Sequence, residues 1–260
     1  MLLHSIAKSL RQQDWSVVFI ELLVVLWGLV LAFQVDRWWE ERADRVREQE
    51  YISRLITDVE EDIGIISHAV ELAEVRQGFG DFLIEVMANP AAARQQPALF
   101  LVAVAQAAFT YSPSLTSHTF EDLRSTGNMG LVHSTEIRNA LYDFYDFHDS
   151  QRQYIQLNLN IEMRYFELAA EVLDADQYQW VQDQWFVVTR DDLEEVHHAQ
   201  PDLEALAGSI DRFMGNPMLL AWIPRTRGIQ REQILMHGIL LSRAKELLAR
   251  LQNYSDQSPR

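Results

Sequence analysis

Glu21 is the residue whose type and position are best suited to chemistry. It is the single charged residue in the apolar stretch 16–35, and a carboxylate inside a bilayer is costly unless it has a role or a partner. Three interpretations stay open. A protonated Glu21 would hydrogen-bond to a neighbouring helix, an ionised one would bind a cation or proton in a pore, and one near the edge of the span would reach the headgroups.

Histidines and aromatic side chains are the other candidates. Two His-x-x-Glu pairs, His118 with Glu121 and His133 with Glu136, place imidazole and carboxylate one helical turn apart, which suits a metal ion. Two ligands without a third and fourth make an incomplete site, and the start of a helix favours an acid anyway. We therefore expect no metal and no cofactor.

An aromatic run could line a ligand pocket, although a packed core is the stronger expectation. The residues concerned are Tyr142, Phe144, Tyr145, Phe147, Tyr154, Tyr165 and Phe166. The sequence has no phosphate-binding glycine loop, no nucleophile elbow and no convincing histidine–aspartate spacing. These patterns predict a protein that is not an enzyme.

The element that must position Glu21 is a membrane-spanning helix over residues 15–36, after a tail at 1–14. A helix of this length crosses a hydrocarbon core of ~30 Å at ~1.5 Å per residue. Trp15 on one side and Trp38 and Trp39 on the other lie where an aromatic belt forms, and Gln34 lies near the far interface. No small-x-small cleavage site follows the stretch, so we interpret it as a retained anchor.

One face of the span is suited to helix–helix contact. Glu21, Val25, Gly28 and Ala32 share it because successive members are three or four residues apart. Gly28 and Ala32 form a small-xxx-small pair, which lets two helices approach closely. This face is the predicted helix interface.

Beyond the span, residues 37–76 are predicted to form a stalk helix with a heptad seam. The apolar residues with alternating four- and three-residue spacing are Ile52, Ile56, Val59, Ile63, Ile66, Val70 and Ala73. Branched residues at both seam positions favour a coiled coil of three or more strands. Leu55, Ile65 and Leu72 widen the apolar surface and favour packing within the chain instead. Both readings stay open.

The rest of the chain predicts an irregular helical bundle over residues 77–254 and a tail at 255–260, so the fold class is all-α. We expect Ser134 and Asn216 to begin helices and Gly127 to end one. Pro224 is expected to break a helix, with the last helix starting at about Gly228.

The amino-acid composition limits which partners the chain can bind. The net charge is −16, and it falls entirely after residue 35 because Lys8 and Arg11 balance Asp14 and Glu21. So acidic a surface repels phosphate backbones and disfavours nucleic-acid binding. The chain has no cysteine, which excludes disulfides and thiolate-bound metals. Arginines after the span favour a cytoplasmic domain by the positive-inside rule, but they are interleaved with acids and long domains translocate regardless, so we favour a periplasmic domain.

The anchor and its exit resemble a family of uncharacterised single-span bacterial membrane proteins with the pattern E-x6-G-x3-A-x-Q-x3-W-x-E. The matching residues are Glu21, Gly28, Ala32, Gln34, Trp38 and either Glu40 or Glu41, while Trp39 replaces a polar residue. A weaker similarity covers residues 120–127, Leu131 and residues 141–145. The resemblance implies a bacterial inner-membrane location and no particular activity.

The sequence thus leads to one main hypothesis and two alternatives. The main one is a non-enzymatic, homo-oligomeric inner-membrane scaffold that contacts the lipid bilayer, its own copies and another membrane protein. The first alternative is a transport-linked or stator-like component using Glu21. The second is a helical sensor that binds a small ligand among the aromatic residues.

Overall fold

The computed structural model describes residues 15–157, 159–184, 189–198 and 203–257, and every regular element in these ranges is helical. The predicted all-α fold class is therefore confirmed. The helices are α1 (Trp15–Ala88), α2 (Ala91–Gln95), α3 (Pro97–Gln106), α4 (His118–Ser125), α5 (Thr135–Leu157), α6 (Leu159–Ala169), α7 (Ala175–Gln184), α8 (Arg190–His198), α9 (Leu203–Met214) and α10 (Pro217–Gln257), with a 3₁₀ turn at Asn128–Leu131.

Helix α1 is a single element of 74 residues. It contains no proline, and at ~1.5 Å per residue it is roughly 110 Å long. The helix ends at Ala88, before Asn89 and Pro90. The backbone nitrogen of proline carries no hydrogen and cannot donate a helical hydrogen bond. The helix continues past residue 76, where the stalk was expected to end, because no breaker interrupts it there.

Helix α10 runs antiparallel to α1 along the bundle. Arg227 near its start forms an ion pair with Asp81 at 2.5 Å, and Tyr254 near its end contacts Glu48. Pro224 lies inside this helix, so the predicted break there is wrong. Proline removes one backbone hydrogen bond, but buried Ile223 and Thr226 hold both sides of it in the core.

The bundle has two hydrophobic cores. We call the one nearer the span the proximal core; it joins the 52–66 part of α1 to α4, α5 and the second half of α10. The distal core joins the 75–86 part of α1 to α3, α6, α7, α8, α9 and the first turns of α10. An irregular segment, residues 107–117, leads from α3 to α4 and lies between the elements that form the two cores.

Three residues begin or end helices where the sequence predicts. Ser134 Oγ accepts a hydrogen bond from Ile137 N at 3.3 Å, and Asn216 Oδ1 accepts one from Leu219 N at 3.0 Å. Gly127 follows α4 with a positive φ of 73°, a conformation that glycine adopts without strain. The end of the chain differs, because residues 255–257 belong to α10 rather than to a tail.

Candidate functional site

The predicted helix interface lies on the part of α1 that stands clear of the bundle. One helix of the described residues is long and apolar enough to cross a membrane, and none of its most apolar 18-residue window is buried. Val25, Gly28 and Ala32 are exposed, and a Cβ atom added to Gly28 would meet nothing within 4 Å. Glu21 belongs to the same helix, but its side chain lies outside the described residues.

The predicted membrane-interface residues follow on the same helix. Trp38 and Trp39 are exposed, and their rings meet edge to face with centroids 5.4 Å apart. The Arg42 guanidinium lies 5.8 Å from the centroid of the Trp38 ring, within the range of a cation–π contact. Gln34 is exposed, and the side chain of Trp15 lies outside the described residues.

The heptad seam is buried in the chain's own bundle. Ile52, Val59, Ile66 and Ala73 are fully covered, while Ile56, Ile63 and Val70 are half-buried. Their partners in the proximal core include residues of α5 and α10. In the folded chain these residues therefore pack against the chain's own helices, and an a/d pattern suits either kind of helical partner.

In the structure, three of the four residues in the two His-x-x-Glu pairs contact other side chains. His133 Nδ1 lies 2.8 Å from Glu48 Oε2. Glu136 Oε1 lies 3.3 Å from Arg250 Nη1. Glu121 pairs with Arg124 at 2.8 Å. Within the described part of the chain, no group of three or more His, Asp or Glu side chains could hold a metal ion.

The aromatic run is divided between the two cores: Tyr142, Phe144, Tyr145 and Phe147 pack in the proximal core, Tyr165 and Phe166 pack in the distal core, and Tyr154 is exposed. Tyr145 stacks on Phe120 with centroids 4.4 Å apart, and Phe144 meets Tyr145 edge to face at 5.0 Å. Phe120, Phe144 and Tyr145 are all buried. Close packing of this kind leaves no room for a ligand among them.

A carboxylate at the base of the bundle joins three distant segments, and sequence reasoning missed it. Glu48 on α1 is 7% exposed. Its carboxylate accepts hydrogen bonds from His133 N at 2.7 Å, His133 Nδ1 at 2.8 Å and Tyr254 Oη at 2.6 Å. The cleft above it has a volume of about 470 Å³, and its other lining residues are Glu41, Asp44, Arg45 and Gln49.

A second missed feature is a layer of polar side chains around the 107–117 segment. Backbone groups of an irregular segment that is partly covered need partners outside a helix, and side chains of the surrounding helices supply them. Gln230 Nε2 donates to Ala107 O at 3.1 Å and to Phe109 O at 2.8 Å. Arg76 Nη1 also donates to Phe109 O, at 3.1 Å.

Histidines and acids complete this polar layer. His148 Nε2 lies 3.0 Å from Pro113 O, and His237 Nε2 lies 3.2 Å from Tyr111 O, so each ring donates a hydrogen bond to a carbonyl. Asp62 Oδ1 accepts from Thr116 N at 2.5 Å, and Glu162 Oε2 accepts from Thr110 Oγ1 at 2.5 Å. His148 is buried at this position.

Burial shifts the titration of several groups in the layer. Desolvation raises the pKa of Asp62 to about 7, and the nearby Asp58 and Glu61 raise it further against the hydrogen bond from Thr116. Desolvation also lowers the pKa of His237, and raises the pKa of Tyr145 with a contribution from Asp62. Asp62 is thus a buried acid that titrates near neutral pH.

The layer also contains buried atoms without hydrogen-bond partners among the described residues. They include Asp62 Oδ2, Tyr145 Oη, Gln233 Nε2 and His237 Nδ1. An orphaned polar atom costs about 1–3 kcal/mol. Protonation of Asp62 lowers the free-energy cost of its burial, because removing a neutral carboxyl group from water costs less than removing a carboxylate.

Comparison with protein-family models, curated proteins and solved structures gives no match for this chain. The functional reading therefore depends on the residues themselves. The structure separates two kinds of candidate site. One is the exposed face of α1 that the sequence predicted, and the other is the buried polar layer, which local sequence patterns do not reveal.

Proposed function

We propose that this protein is a non-enzymatic membrane scaffold of the bacterial inner membrane, anchored by α1 and self-associating through the Glu21, Val25, Gly28 and Ala32 face. The observation that supports this proposal is that a single unbroken helix connects an uncovered apolar span to the bundle. Any tilt or rotation of the span therefore reaches the bundle without a hinge.

The face of the span supports close contact between copies. Gly28 and Ala32 leave a shallow groove, and small residues let helix backbones approach closely enough for van der Waals contact in lipid. Lipid tails are as apolar as leucine side chains, so such grooves, rather than hydrophobicity, favour association in a bilayer. Glu21 on the same face would hydrogen-bond across the contact when protonated.

We propose that the bundle lies on the periplasmic side of the membrane. The domain outside the span is strongly acidic, which would weaken contact with anionic cytoplasmic headgroups. The absence of cysteine makes this side directly testable. Single cysteines introduced at Lys8 and Gln252 should differ in labelling by an impermeant thiol reagent on intact cells, with only Gln252→Cys modified; labelling of Lys8→Cys alone would place the bundle in the cytoplasm.

The test of self-association is the molecular mass of the full chain in mild detergent and in lipid nanodiscs. We expect a defined oligomer. Gly28→Leu combined with Ala32→Leu should lower its order because the groove is filled. Leu23→Phe combined with Val30→Phe, which adds bulk to the opposite face, should not. A monomer in both environments would reject the proposal.

A second candidate function is a transport-linked or stator-like component in which Glu21 titrates. The position of Glu21 on the small-residue face favours it, since that face would turn the carboxylate to the interior of a helix assembly. Glu21→Gln should then abolish a proton-dependent phenotype while the oligomer persists. Wild-type behaviour of Glu21→Gln would show that the charge is irrelevant.

A further inference from the structure

The small-residue face of the span continues beyond the membrane. Val35, Trp39, Ala43 and Val46 follow Ala32 at spacings of three or four residues, so they extend the same side of α1. All four are exposed; Trp39 and Val46 are each 61% exposed. The stripe thus runs from the membrane interface, where Trp39 lies, to Val46 in water, and uncovered apolar side chains on one side of a helix suit an interaction surface.

The bundle leaves this stripe free because it packs on the other side of α1. Glu48, Ile52, Leu55 and Val59 are the first buried residues of the helix after the span. Val46 and Glu48 are two positions apart, which places them on nearly opposite sides of a helix with 3.6 residues per turn. A second α1 laid along the stripe would therefore meet no part of the chain's own bundle.

Charges beside the stripe are arranged for a parallel pair. Asp36 and Glu40 lie on one flank, and Arg42 and Arg45 lie on the other. Arg47 shares the acidic flank but forms an ion pair with Asp44. When two copies are related by a twofold axis parallel to the helices, the acidic flank of each meets the basic flank of the other, as at the e and g positions of parallel coiled coils.

We propose that two copies of α1 form a parallel pair through one continuous face that begins in the span and extends outside it to Val46, with the two bundles on the outside. This inference rests on the proposed self-association of the span. The stripe ends after Val46, where the same side of the helix carries Glu50, Ser53 and Thr57. Like charges at Glu50 make the helices diverge there.

Cysteine cross-linking of the full chain in membranes tests this pairing. The chain has no native cysteine, so each variant carries one thiol. Ala43→Cys and Val46→Cys should form disulfide-linked dimers on mild oxidation. The matched controls Arg37→Cys and Glu41→Cys, on the far side of the same stretch, should give at least about tenfold less dimer, since Cα atoms more than about 7 Å apart do not form a disulfide.

The outcomes separate this inference from the proposed function. Preferential cross-linking at Ala43 and Val46 supports the extended pair. Cross-linking of Gly28→Cys without cross-linking at Ala43 and Val46 confines the contact to the span, which overturns the inference and leaves the proposed function standing. Equal cross-linking at all four outer positions also overturns it. A monomeric chain in nanodiscs rejects both.

Discussion

Tyr254 Oη donates a 2.6 Å hydrogen bond to Glu48 Oε1, although the two residues are 206 positions apart in the chain. This bond ties the end of α10 to α1 at the base of the bundle. Burial, together with the Glu48 carboxylate, raises the pKa of Tyr254 to about 12. The phenol is therefore a proton donor throughout the physiological range.

Tyr254→Phe is expected to lower the free energy of unfolding by about 1.5–3 kcal/mol, the usual worth of a hydrogen bond to a charged group. Chemical denaturation of the full chain in detergent, followed by circular dichroism, measures it. Tyr154→Phe is the control, because Tyr154 makes a similar 2.7 Å bond to Glu232 but is 41% exposed. Equal losses in the two variants would contradict the structural role of the Glu48 contact.

Asp62→Asn tests the buried acid. Because its pKa is raised from 3.8 to about 7 in the folded chain, folded Asp62 keeps a proton that the unfolded chain has lost between these values. Asp62 therefore makes the wild type less stable as pH rises from about 4 to about 7. Asparagine imitates the protonated acid, so the variant should gain about 1–3 kcal/mol over wild type at pH 8.

The difference between wild type and Asp62→Asn should shrink towards pH 4 and level off above about pH 8, where folded Asp62 has lost its proton. Unfolding free energies measured across this range give the profile. Asp174→Asn is the matched control, since Asp174 also accepts a backbone hydrogen bond, from Gln177 N at 2.9 Å, but is only half-buried. A constant offset for Asp62→Asn at every pH would show that the carboxyl group does not titrate in this range.

At Gly80, α1 and α10 approach each other closely. A Cβ atom added there would lie 2.9 Å from Arg227 Cβ and 3.2 Å from Arg227 Cα. Gly80→Ala should therefore separate the helices and cost about 1–3 kcal/mol, as overpacking does. Gly78→Ala, with nothing within 4 Å, should instead stabilise the helix by up to about 1 kcal/mol. Thermal unfolding of the two variants should shift in opposite directions; shifts of the same sign would contradict the close approach.

Gln230 holds the 107–117 segment in place through two carbonyls. Gln230→Leu leaves Ala107 O unpaired and removes one of the donors to Phe109 O. We expect a loss of about 2 kcal/mol, within the range for a buried unpaired polar group. Gln252→Leu, at an exposed position where the amide is 3.5 Å from Glu60 Oε1, should change stability by less than about 0.5 kcal/mol. Comparable losses in both would show that the carbonyls find other partners.

The sequence alone determined the features that depend on neighbours along the chain. An apolar stretch of membrane-crossing length, the helix starts at Ser134 and Asn216 and the helix end at Gly127 follow from local spacing and backbone preference. The all-α class follows as well, because few residues in the chain interrupt helices.

Only the tertiary structure decided which partner each surface meets. The Ile52–Ala73 seam fits a second chain as well as it fits α10, since both present the same helical grooves. The folded chain packs the part of the seam from Ile52 to Ile66 in its own proximal core. Pro224 stays inside a helix because the neighbouring residues Ile223 and Thr226 are buried in the bundle. Asp62, Gln230 and His237 come together around the 107–117 segment through contacts between distant parts of the chain, and no local pattern carries that information.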